Sequence, residues 1–188
     1  MSKSAKQSKE VQKNLEEKLG EVLGLERAAQ KAVEELNSKK LLESGTKKDI
    51  QGIKEEASSH EEKINKLISD LSEENEDLKI DQNNIEEIAK ETEKKATKMM
   101  KTYLGEDPDS SEAIEFLAIA EGGEVIHYEV LNAICKNLKV KELSNTVTSS
   151  CNSSMKKRLS FGNNLVLSLK NSYARFPTYC TKPNSGRR

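Results

Sequence analysis

Glu121, Glu124 and His127 form the spacing Glu-x-x-Glu-x-x-His inside the stretch Ala118–Glu129. Apolar residues flank it at helical spacing, and the predicted seam runs 114, 117, 121, 124, 128, 131, 135 in alternating steps of three and four. Glu121 and Glu124 fall on that seam, and His127 lies three residues after Glu124 on the neighbouring row. Two carboxylates and an imidazole aimed in one general direction suit a borderline-hard divalent metal such as iron or manganese. Carboxylate-bridged di-metal sites in helical bundles use this Glu-x-x-His spacing. A lone carboxylate on a packed seam otherwise loses hydration and needs a compensating partner. The plainer alternative is a solvated acidic helix face with one satisfied histidine.

Two further misfits stand on other helical seams. Leu15, Leu19, Val22, Glu26, Ala29, Val33 and Leu36 define a helix over about 6–38, and Glu26 is its one charged member. Ile50, Ile53, Ala57, His60, Ile64, Leu67 and Leu71 define a second over about 47–73, in which His60 stands out. If the two helices run antiparallel, Glu26 and His60 are each ten residues from facing seam positions next to the turn, Leu36 and Ile50. Both then lie about 15 Å from the turn end at 1.5 Å per residue. A lone histidine on an apolar seam is more often a packed, hydrogen-bonded residue than a ligand.

The elements that would position these residues follow from the same pattern. Gly45 is expected to end the first helix and Thr46 to cap the second. Residues 74–84 read as a polar connection. A third helix is expected over about 85–104, with Ile85, Ile88, Thr92, Ala96, Met99 and Tyr103 inward. The fourth is expected over about 109–137, capped by Asp109, Ser110 or Ser111. Gly20 and Gly24 are placed to let helices approach closely. The Gly122-Gly123 pair costs about 2 kcal/mol in helix propensity relative to two alanines, and close packing against another backbone is its expected reason. A fifth helix begins near Lys139, but its seam dissolves at Ser150, Ser154 and Lys157.

Composition agrees with an all-α protein: 34% charged, 34% hydrophobic, 4% aromatic and no Trp. No apolar run approaches the length of a membrane span, and no signal-peptide pattern is present. Cys135, Cys151 and Cys180 lack metal-ligand spacing and read as reduced thiols, so a cytoplasmic chain is expected. No acidic residue follows Glu142, whereas eight basic ones do, so residues 1–142 carry a net charge of −9 within a chain of net charge −1. Residues 1–148 are read as one helical bundle and 149–188 as a basic Ser/Asn-rich tail. That tail breaks seam and composition together, as a shift of reading frame would. Its cations and aromatics could contact nucleic acid, but a solvated tail is the expectation. No phosphate loop, zinc pattern or serine-nucleophile motif is present.

Taken together, these stretches resemble the ferritin-like superfamily, in particular its YciF-like branch and, at the site, rubrerythrins. Leu25-Glu26-Arg27-Ala28-Ala29-Gln30 is similar to the first-helix ligand stretch, and Glu56-Ala57-Ser58-Ser59-His60-Glu61-Glu62 to the second. Gly105-Glu106-Asp107-Pro108 with Ala118–Glu129 is similar to the third bundle helix. The resemblance, over about 10–147, implies an antiparallel four-helix bundle with an extra crossover helix at 85–104. It also implies a di-iron or di-manganese carboxylate site with Glu26, His60, Glu121, Glu124 and His127 as ligands, in a family linked to iron, oxygen or peroxide stress chemistry. Two departures matter: Ala57 stands where the second helix carries Glu, and residues 150–158 hold no acid or histidine where the fourth bundle helix should carry Glu-x-x-His. The expectation is therefore an incomplete site with little or no turnover, in a homodimer contacting neither membrane nor nucleic acid. The alternative is a non-enzymatic helical interaction protein without metal.

Overall fold

The three-four seams become the buried faces of long helices in the computed structural model, which describes residues 3–42, 44–74 and 80–138. The helices are α1 (Lys3–Ser38), α2 (Ser44–Glu74), α3 (Gln82–Leu104) and α4 (Ser110–Leu138), and no strand occurs among the described residues. All seven seam positions of α2 are buried, and so are all seven of α4. On α1 six are buried and Ala29 is half-buried. The fifth helix, the 149–188 tail and its cysteines lie outside the described residues.

α1 is the axis of the assembly and packs against each of the other three helices. Its first half joins an apolar cluster around Leu15, Leu19 and Leu23 with Ile64, Leu67 and Leu131. Its second half joins another around Val33 and Leu36 with Ile50, Met100 and Leu117. Glu26, wholly buried, sits between these two stretches of α1. Burying such side chains drives helix association at roughly 25 cal/mol per Å2 of apolar surface.

Local chemistry fixes the ends. α1 ends at Ser38, where the seam over about 6–38 ends, and not at Gly45. The Lys40 N–H bonds the Asn37 carbonyl and the Leu41 N–H bonds the Leu36 carbonyl, both at 3.1 Å, around a left-handed Lys40 (φ 58°). These are the two bonds of a Schellman stop. Gly45 does not end α1 but belongs to α2. Asp81 caps α3 by accepting from the Asn83 and Asn84 N–H groups. Buried Glu16 of α1 fastens that end, accepting from the Asp81 N–H and the Asn84 amide, each at 3.0 Å. Asp109 caps α4 through the N–H groups of Ser111 and Glu112, while Glu112 accepts from the Asp109 N–H. That reciprocal pair is a capping box.

Two expectations are corrected. On α3 the buried residues are Ile85, Ala89, Met100 and Leu104, whereas Met99 and Tyr103 are exposed. α3 lies directly on the glycines of α1, which admit Ile88, Ala89 and Thr92 at short range, and its last turns place Met100 and Leu104 in the cluster with Val33, Leu36 and Leu117. Gly20 and Gly24 thus do permit close approach. Gly122 and Gly123 do not among the described residues: both are exposed, a Cβ at either would meet no described residue within 4 Å, and α4 continues unbroken through them.

Arg27 ties three helices. Its Nε donates to Glu61 of α2 and one terminal nitrogen to Glu86 of α3, each at 2.8 Å. The hydrogen bond from Arg27, ahead of its charge and that of Lys90, holds the Glu86 carboxyl below the ordinary glutamate range. A carboxyl depressed in the folded state adds stability above its ordinary titration range and loses it as pH falls toward the depressed value. Acidification through and below about pH 4.3 should therefore lower the melting temperature, and Glu86→Gln should reduce that drop. Unfolding followed by circular dichroism across pH checks this. The effect should stay under about 1 kcal/mol, because the Glu86 side chain is 39% exposed.

Candidate functional site

Glu26 is the centre of a buried polar group drawn from three helices. His60 Nδ1 of α2 lies 3.0 Å from Glu26 Oε1, and the Tyr128 hydroxyl of α4 donates to the same oxygen. The His60 and Tyr128 rings meet edge to face, with centroids 5.9 Å apart and planes at 69°. Glu26, His60 and Tyr128 are at most 3% exposed. Taking a carboxylate out of water costs several kcal/mol, and short hydrogen bonds to the charged oxygen offset that loss. With Glu26 ionised, the His60 proton sits on Nδ1, the nitrogen facing the carboxylate. His60 Nε2 is 3.8 Å from Glu56 Oε1, one turn back on α2. The equal-depth argument for Glu26 and His60 thus matches the geometry.

The other three expected residues are on α4. Glu121 and Glu124 are buried on α4, and with His127 they line a groove of about 270 Å3 between α1, α3 and α4. Ala28, Ala29 and Ala32 of α1, Met99 of α3, and Phe116 and Ile119 of α4 give the groove its apolar walls. His127 Nδ1 is 3.1 Å from Glu21 Oε2 of α1, with the Lys18 ammonium 3.4 Å away and ion-paired to Glu21. A lysine at that distance opposes a metal cation on the same nitrogen.

Among the described residues, no three His, Cys, Asp or Glu side chains gather in a group that could hold a metal ion. Glu26 and His60 meet, the acids of α4 face a groove, and His127 is engaged by α1. Ala57, where a second carboxylate would be needed on α2, is buried.

Tyr128 is legible in the sequence only as a seam position. Its role emerges on asking which seam residue carries a polar tip able to satisfy Glu26. Glu21 and Lys18 give no such signal, since their partner is more than a hundred residues away in sequence.

No protein-family model matches the chain, and no curated protein sequence or solved structure does either.

Proposed function

We propose that this chain is a non-enzymatic helical interaction protein, ferritin-like in plan with α3 as its crossover helix. The observation carrying this reading is the engagement of Glu26: its buried carboxylate binds His60 and Tyr128 and so ties α1, α2 and α4 together. Residue types that elsewhere hold metal serve here as a polar layer between apolar clusters, which favours structural specificity over chemistry. No described helix is long and apolar enough to cross a membrane.

A second reading has one observation in its favour. Glu26 Oε1 and His60 Nδ1 are 3.0 Å apart, a separation compatible with two donors at about 2.0–2.2 Å from one ion. Under it, a single iron or manganese ion binds weakly without turnover.

Thermal unfolding separates the two. Adding Mn(II), or Fe(II) without oxygen, should leave the midpoint unchanged. A bound ion at hundredfold excess over its dissociation constant would add about 2.7 kcal/mol, roughly 5–11 °C for a chain of this size. A rise of that size in the parent, lost in Glu26→Gln and in His60→Ala, would establish the metal reading instead. A rise that survives both but disappears in Glu124→Ala with His127→Ala would put the ion in the groove.

A further inference from the structure

We draw no further inference here: the strongest candidate, the apolar groove between α1, α3 and α4 with exposed Met99 and Ile119 on its walls, carries nothing because nothing in the structure shows what covers it.

Discussion

Replacing Glu26 with alanine should destabilise the fold by about 3–5 kcal/mol, the scale of removing the shared acceptor of a buried hydrogen-bonded group together with its packed side chain. Three losses combine. The His60 Nδ1 and Tyr128 hydroxyl lose a shared acceptor, and each remains at most 3% exposed. A buried polar group left without its bond costs roughly 1–3 kcal/mol. The truncated side chain also leaves a void beside the α1 seam, which adds to the cost. In a chain of this length the loss corresponds to roughly 6–20 °C in melting temperature. A double-mutant cycle makes the origin visible. Glu26→Leu with His60→Leu should cost much less than the sum of the single changes, because an apolar pair leaves no stranded charge. Additive costs, or a Glu26→Ala penalty below about 1 kcal/mol, would mean that the carboxylate does not depend on these partners.

The cycle also bears on how the site can be read in advance. Glu26 and His60 are recognisable as misfits on regular seams, and equal distance from the turn places them at one height, in keeping with their 3.0 Å contact. The seams of α2 and α4 translate residue for residue into buried faces, because each helix buries one stripe against its neighbours and the period of the pattern is the period of the helix. What the pattern misses depends on contacts between distant segments. Spacing groups His127 with Glu124 because they share a face of α4, yet Glu21 of α1 competes for it with an oxygen 3.1 Å away. The inward face of α3 departs from expectation at Met99 and Tyr103 because Met100 and Leu104 enter the cluster with residues of α1, α2 and α4, and no periodicity within α3 carries that information. Glycine is the usual left-handed residue, which points to Gly45 as the α1 stop, whereas Lys40 adopts that conformation within a Schellman pair of bonds.

Gly24→Ala should destabilise the protein by about 1–3 kcal/mol, although helix propensity alone predicts a gain of about 1 kcal/mol. A Cβ at Gly24 would lie 2.4 Å from the Ala89 carbonyl oxygen and 2.7 Å from Thr92 Cβ. The first is a backbone atom of α3 and cannot rotate away, so α1 and α3 must separate. Two sets of bonds resist that movement: Glu16 holding the start of α3, and Arg27 holding Glu86. The crossing is therefore pinned on both sides of Gly24, and the strain must be taken up in the packing around Ile85 and Ala89. Gly20→Ala meets Ile88 side-chain atoms at 2.7 Å and the Ile85 carbonyl at 2.8 Å, so the double substitution should cost more than either alone. Gly52 provides the control. It is an exposed glycine of α2, and a Cβ there would meet nothing within 4 Å, so Gly52→Ala should stabilise the fold by up to about 1 kcal/mol. One chemical change then has opposite signs at two helical positions, and urea unfolding of the four variants against the parent reads both. A Gly24→Ala protein as stable as the parent would mean that α1 and α3 are not held at this distance, and the close glycine crossing would have to be abandoned.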